Sequence, residues 1–264
     1  MWKWEVDKKK AKGVFVIVHG AGEYHVRYKW VVEKLNQFDF HVIMGDLPGQ
    51  GTTAGPRGHV PTFDLYINTV SSWLEEARRY DLPVILLGHS MGGLITTRTL
   101  MNLDERDLPT MVLLSSPCFG LYNKTPASKK AISYMLNRIT PELRFPSNLA
   151  PGSGTRDPSM RTRDEQDELL IKKVSIRWYR ELEKSIHRAH QEIDTFPEIP
   201  LLLMQGGDDR IVDKHSVKQW FDQVDLQDKY YKEWEGLYHE VLNEPEKREV
   251  LAHMLGFVTM HLNR

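Results

Sequence analysis

With 264 residues, 41% of them hydrophobic, the chain can bury a sizeable core as one large domain or two small ones. Its 35 basic residues against 36 acidic ones give no global pull toward nucleic acid, and a single cysteine, Cys118, excludes an intramolecular disulfide and a multi-cysteine metal site. The start, MWKWEVDKKKAKG, lacks the apolar stretch of a signal peptide, and no run reaches the roughly 18–20 apolar residues that span a bilayer, so a soluble, cytoplasmic protein is expected.

In chain order, a short strand in WKWEV precedes the Lys8–Lys12 cluster, read as a solvated turn between two strands. GVFVIVHG (13–20) is short, branched and apolar, which predicts a buried strand. RYKWVVEKLNQF follows as a helix and HVIMGD (41–46) as a strand. In DLYINTVSSWLEEARRY, Leu65, Ile67, Val70, Trp73 and Leu74 recur near helical spacing. PVILLG (83–88) is a strand, MGGLITTRTLMNL a helix and TMVLLSS (110–116) a strand. Residues 117–199 then pass without a predicted strand. Helix-like SKKAISYMLNRI and DELLIKKVSIRWYRELEKSIHRAHQEI lie there, separated by PSNLAPGSGTRDPSM. PLLLMQG (200–206), DKHSVKQWFDQV, KYYKEWEG (229–236) and PEKREVLAHMLGFVTMHL complete the alternation.

Such alternation predicts an α/β protein whose mostly parallel sheet is flanked by helices on both faces, with ligand sites at the carboxyl ends of the strands. A structureless loop of about 83 residues does not fit a compact domain. Residues 1–116 and 200–264 are therefore expected to form the core, and 117–199 a helical cap inserted after the strand at 110–116.

Chemistry is concentrated at Gly88-His89-Ser90-Met91-Gly92, where a strand turns into a helix. G-x-S-x-G in that setting is the pattern of a nucleophile elbow, while a plain glycine-rich turn would read the same. A serine hydroxyl is a weak nucleophile and needs a base, an orienting acid and an oxyanion site. Of the 11 histidines, His239 falls on the turn between the last strand and the last helix, where the base belongs. His187 and His190 lie in the insertion, and nothing resembles H-E-x-x-H, so no metal is implied. The acid belongs after the strand at 200–206, where QGGDDRIVD offers Asp208, Asp209 and Asp213. The order Ser, Asp, His is that of the α/β-hydrolase fold. Backbone N–H groups of Met91 and of Ala21, in the loop HGAGEYHVRY, are the candidate oxyanion donors.

Six segments in order, HGAGEYHVRY, GDLPGQGTTAGPRGH, GHSMGG, LSSP, QGGDDRIVD and GLYHEVLNEPE, resemble the monoacylglycerol lipase and lysophospholipase group of serine α/β-hydrolases, closest to the lysophospholipase-like hydrolases of Bacillus and relatives. The resemblance runs along the whole chain and is weakest across 120–170. It implies Ser90 as nucleophile, His239 as base and, through G-x-x-D, Asp209 as the acid. It also implies Ala21 and Met91 as oxyanion donors, Glu23 and Arg27 as polar supports, and no cofactor. Two departures stand out: Tyr24 where many relatives have histidine, and Asp46-Leu-Pro-Gly-Gln-Gly-Thr-Thr where they read D-x-x-G-H-G-x-S.

The resemblance also implies that the cap covers the nucleophile and admits an acyl chain. Phe119, Leu121, Tyr122, Met135, Leu136, Ile139, Phe145, Met160, Trp178 and Tyr179 are available there, some to line a tunnel and most to hold the cap onto the sheet. Residues 117–199 carry 14 basic and 11 acidic side chains, a net of +3 that leans toward an anionic headgroup or peripheral membrane contact. Gly152, Ser153 and Gly154 are a candidate hinge, and Cys118 reads as a packed residue without chemistry. The expected activity is hydrolysis of a lipid with one acyl chain, a monoacylglycerol or lysophospholipid. A phospholipase, thioesterase or acyltransferase would use the same triad. A non-catalytic binding protein would be expected to have lost a triad member.

Overall fold

A computed structural model describes residues 1–123, 125–147 and 152–263. The first half runs β1 (Trp2–Trp4), β2 (Gly13–Val18), α1 (Lys29–Gln37), β3 (Phe40–Met44), α2 (Asp64–Arg78), β4 (Val84–His89), α3 (Met91–Leu100) and β5 (Met111–Ser115). The intervening segment holds α4 (Ala127–Ile139), β6 (Arg144–Pro146), α5 (Pro158–Gln166), β7 (Lys173–Ser175) and α6 (Ile176–Gln191). β8 (Leu201–Gly206), α7 (Lys214–Gln223), β9 (Lys229–Trp234) and α8 (Lys247–Leu262) follow.

Seven strands form one sheet in the order β1-β3-β2-β4-β5-β8-β9, with β1 antiparallel to β3 and every other pair parallel. The apolar runs explain the layering, because period-two alternation sends neighbouring residues to opposite faces. Val14, Val16 and Val18 share one apolar cluster with Tyr66, Val70 and Trp73 of α2, Leu94 of α3 and Trp220 of α7. Phe15 and Ile17 meet Val31 and Leu35 of α1 and Met254 and Val258 of α8. Both faces are covered, so these strands carry no polar stripe. Each fully buried side chain of this size contributes about 1.5–3 kcal/mol. Parallel pairing also gathers the ends of β2, β4, β5, β8 and β9 along one edge, where the site forms.

The segment after β5 differs from the helical insertion without strands that the sequence predicts. β6 and β7 pair antiparallel, Arg144 with Ser175 and Pro146 with Lys173. DELLIKKVS is a turn running into β7 and not a helix, because its backbone is bound elsewhere: Ile171 N–H donates to Gly22 O at 3.1 Å and Ser175 N–H to Gly58 O at 2.8 Å. The helix begins only where the Ser175 side chain caps the Trp178 N–H, at 3.1 Å. α5 also went unpredicted; Asp157 caps it at Ser159 N–H and Pro158 opens it. α6 packs through Trp178, Leu182 and Ala189 into the same apolar cluster as α2 and α3.

Candidate active site

Ser90 lies between β4 and α3 with φ 55° and ψ −122°, a backbone conformation costing of order 1–3 kcal/mol for a residue with a side chain. Its peptide neighbours hold it there: Ser90 N–H donates to Ser115 O at 2.9 Å, and Cys118 N–H donates to Ser90 O at 3.0 Å. Gly92 permits the turn to sit on β2, since a Cβ at that position would stand 2.2 Å from Val18 O. Cys118 is buried, which pushes its thiol up to about 12, and it packs as the sequence suggested.

Asp209 follows β8 and His239 follows β9, which brings them side by side. Asp209 Oδ2 accepts His239 Nδ1–H at 2.7 Å, which leaves His239 Nε2 as the unprotonated nitrogen of the neutral ring. The other oxygen, Oδ1, accepts the Ile211 and Val212 N–H groups at 2.8 and 2.9 Å. Burial opposes charge on Asp209, but His239 and these donors outweigh it and hold the carboxyl below its ordinary range. Burial likewise opposes the imidazolium of His239, and Asp209, followed by Glu240 and Glu23, raises its pKa above the ordinary histidine value.

The other aspartates of this turn have local roles. Asp213 caps α7, accepting His215 N–H at 3.1 Å and Ser216 Oγ–H at 2.8 Å, while Asp208 is exposed. His190 of the insertion donates to Phe119 O at 2.8 Å and so seats α6 on the core rather than facing solvent. His89 packs its ring 4.8 Å from that of His239, and burial lowers its pKa.

The loop after β2 carries Ala21. Gly20 N–H donates to Glu23 Oε2 at 2.7 Å and Gly22 N–H to Gln50 Oε1 at 2.5 Å. The Ala21 N–H between them, and the Met91 N–H at the head of α3, have no acceptor among the described residues. Glu23 Oε2 also accepts the Tyr28 hydroxyl at 2.8 Å. Burial works against the Glu23 charge, yet Arg27, His89 and His19 hold its carboxyl down to about 2. Arg27 is buried and meets three carboxylates: Glu23 at 3.3 Å, Glu240 at 2.7 Å, and Asp164 of α5. Tyr24, the first departure, donates to Asp167 at 2.8 Å, a second tie between this loop and the segment after α5.

Three residues escaped the sequence reading. Gln205 donates to Asp209 Oδ2 at 2.9 Å from a fully buried position on β8. Glu240 and Asp164 complete the Arg27 cluster; Glu240 stands next to His239 in sequence, which was the available signal. Asp164 lies 137 positions from Arg27 and carried none.

Residues 9–246 match the family model described as serine aminopeptidase, S33. The chain belongs to this family. Over 262 residues, 99% of this chain and 100% of the relative, the hydrolase is 46% identical to the phospholipase YtpA of Bacillus subtilis. It is 26% identical over 271 residues to a monoacylglycerol lipase of Mycolicibacterium smegmatis, covering 99% of this chain and 92% of the relative. The crystal structure of the Paleococcus ferrophilus monoacylglycerol lipase superposes with a TM-score of 0.88 at 30% identity, covering 98% of both chains. These matches place the hydrolase in the group that its six ordered segments resemble, with the α/β-hydrolase fold and the character of a serine lipase.

The cap candidates divide. Phe119 and Trp178 are buried in the core cluster. Met135 and Ile139 face outward, 56% and 69% exposed, together with Ile132 and Tyr134 of α4 and Tyr122 and Leu143 beside it. They neither line a tunnel nor fix the cap to the sheet.

Proposed function

We propose that this enzyme hydrolyses the carboxylic ester of a lipid with one acyl chain through Ser90, His239 and Asp209. The observation that carries the reading is the buried Asp209–His239 pair, 2.7 Å apart, on the strand edge that also presents the strained Ser90. His239 Nε2 takes the Ser90 Oγ proton as Oγ bonds to the ester carbonyl carbon, and the carbonyl oxygen becomes an oxyanion facing the Ala21 and Met91 N–H groups. Collapse of this intermediate breaks the bond to the alcohol, which leaves with the proton from His239. Water then repeats the sequence on the acyl-enzyme: His239 removes its proton, and Ser90 departs with that proton as the fatty acid is released. Asp209 stabilises the transient imidazolium without taking its proton. Glu23 and Arg27 support the site by fixing the Gly20 N–H and by joining the Ala21 loop to Glu240.

Residues 117–199 act in this reading as a cap, with Gly152–Gly154 as its hinge, and the protein works in the cytoplasm at the face of a membrane. Among the described residues no helix is long and apolar enough to cross one. The exposed apolar side of α4 includes an open groove of about 460 Å³ lined by Ala131, Tyr134, Met135, Arg138 and Ile139. Arg138 lines it and Lys129 is exposed on the same helix, so lipid contact through α4 suits both its apolar and its basic residues.

Within that class, a lysophospholipid in place of a monoacylglycerol is the second reading, favoured by the relative 46% identical that is named a phospholipase. Hydrolysis of matched C12–C18 monoacylglycerols and lysophospholipids by wild type and Ser90→Ala decides between them. Faster release from the neutral lipid, abolished in the variant, is expected. Preference for the charged lipid would establish the second reading, and activity retained by Ser90→Ala would overturn both.

A further inference from the structure

Gln50 stands at the position where the motif of related chains has histidine, and it is almost wholly buried, 2% exposed. Its Oε1 accepts the Gly22 N–H at 2.5 Å, while its Nε2, without a well-formed hydrogen bond, lies toward the Tyr66 hydroxyl. The orientation is not free: Gly22 offers a donor, so the amide must present oxygen to it. A buried amide is costly unless its oxygen finds a donor, and the Gly22 N–H is the donor it finds.

The backbone of Gln50 is itself immobilised. Its N–H donates to Leu47 O at 3.0 Å, and its carbonyl accepts the Thr53 hydroxyl at 2.6 Å. Leu47 N–H in turn donates to His19 Nε2 at 2.9 Å, which ties this turn to the end of β2. The acceptor that Gln50 offers Gly22 is therefore fixed relative to the strand that carries the Ala21 loop. Gly22 has φ +81°, a conformation with little cost only for glycine, and its carbonyl is held by Ile171 N–H at 3.1 Å. With Gly20 N–H bound by Glu23, both neighbours of Ala21 are clamped and the Ala21 N–H alone has no acceptor.

We propose that Gln50 is a positioning residue for the oxyanion site: its side-chain oxygen clamps Gly22 and so aims the Ala21 N–H at the acyl oxygen on Ser90. The proposal rests on the esterase reading above. It places the contact on transition-state stabilisation and not on ground-state lipid binding, because the oxyanion exists only after Ser90 attacks.

Gln50→Leu removes the acceptor at similar volume, and Gln50→His restores a neutral acceptor that titrates. For Gln50→Leu, kcat/KM for a monoacylglycerol is expected to fall about tenfold to a hundredfold, the scale of a displaced catalytic donor. Affinity for an acyl trifluoromethyl ketone, whose adduct with Ser90 carries the oxyanion, should fall by the same factor. Affinity for a non-hydrolysable ether analogue of the substrate should stay within twofold. Gln50→His is expected to recover most of the activity at pH 8, and the ratio of its kcat/KM to that of wild type at the same pH is expected to fall on acidification through the ordinary histidine range near about 6.5, which sets its loss apart from the acid limb both share. Thermal unfolding of each variant identifies any that fail to fold, and the histidine variant then carries the test. Equal losses of ketone and ether affinity would overturn the proposal, as would unchanged kcat/KM in a folded Gln50→Leu. Failure of the esterase reading is separate, since it would show as activity in Ser90→Ala.

Discussion

Replacing Asp209 with asparagine tests the acid through a consequence fixed by the surrounding donors. Oδ1 of Asp209 faces two backbone N–H groups, of Ile211 and Val212, and Oδ2 faces Gln205 Nε2 and His239 Nδ1. An asparagine must turn its carbonyl oxygen toward one pair and its amide toward the other. Turning the amide toward the backbone pair leaves two buried N–H groups unpaired, at about 1–3 kcal/mol each, so the oxygen takes the Oδ1 place. The amide then donates toward His239, which accepts through Nδ1 and carries its proton on Nε2, the nitrogen that has to receive the Ser90 proton. A wrong-tautomer base costs about four powers of ten in rate, equal to about 5.4 kcal/mol at about 1.36 kcal/mol per decade. In contrast, Asp213→Asn exchanges one good helix cap for another and should leave activity within twofold. Initial rates of monoacylglycerol hydrolysis measure both. The reasoning fails if Asp209→Asn keeps more than a tenth of wild-type kcat/KM, or if Asp213→Asn is the more damaging change.

The pKa of His239 is raised, so its neutral, basic form is depleted on acidification. kcat/KM should therefore fall on the acid side with a midpoint above about 6.5. Glu240→Gln, which removes one of the carboxylates responsible, should move that midpoint downward; an unmoved midpoint would exclude the electrostatic coupling. Arg27→Met strands three carboxylates and should cost about 3–5 kcal/mol in urea unfolding at pH 7. Glu23 is held at about 2 in the folded protein, so the stability that Arg27 lends it is present above about 4.3, the ordinary glutamate value, and is lost as pH falls toward 2. The gap between wild type and variant should close over that range, and a constant gap would point to packing alone. Gly92→Ala forces a methyl group within 2.2 Å of Val18 O and should cost about 1–3 kcal/mol. Gly256→Ala, in α8 with nothing within 4 Å of the added Cβ, should instead stabilise by about 0.5–1 kcal/mol, and paired denaturation curves compare the two.

The sheet and its helices were legible in the sequence because each depends on local chemistry. Branched apolar runs bury themselves whatever surrounds them, and glycines around Ser90 specify an abrupt turn before any partner is known. The sequence by itself also singled out His239 as the candidate base by its place after the last strand. Among Asp208, Asp209 and Asp213 the residues alone left the candidate acid open. The structure sets Asp209 against His239 and Asp213 on the first turn of α7, because only strand register decides which carboxylate reaches the histidine. The stretch ending in β7 read as helix because its partners, Gly22 and Gly58, lie more than a hundred positions away. Gln205 was invisible for the same reason, and Gln50 showed only as a departure from a motif: an amide in a strand or turn has no local signature of the donor or carboxylate it will meet. The Arg27 cluster unites the Ala21 loop, α5 and the turn carrying His239. Charges so far apart in sequence become neighbours only when parallel strand ends align, and that convergence belongs to the tertiary structure alone.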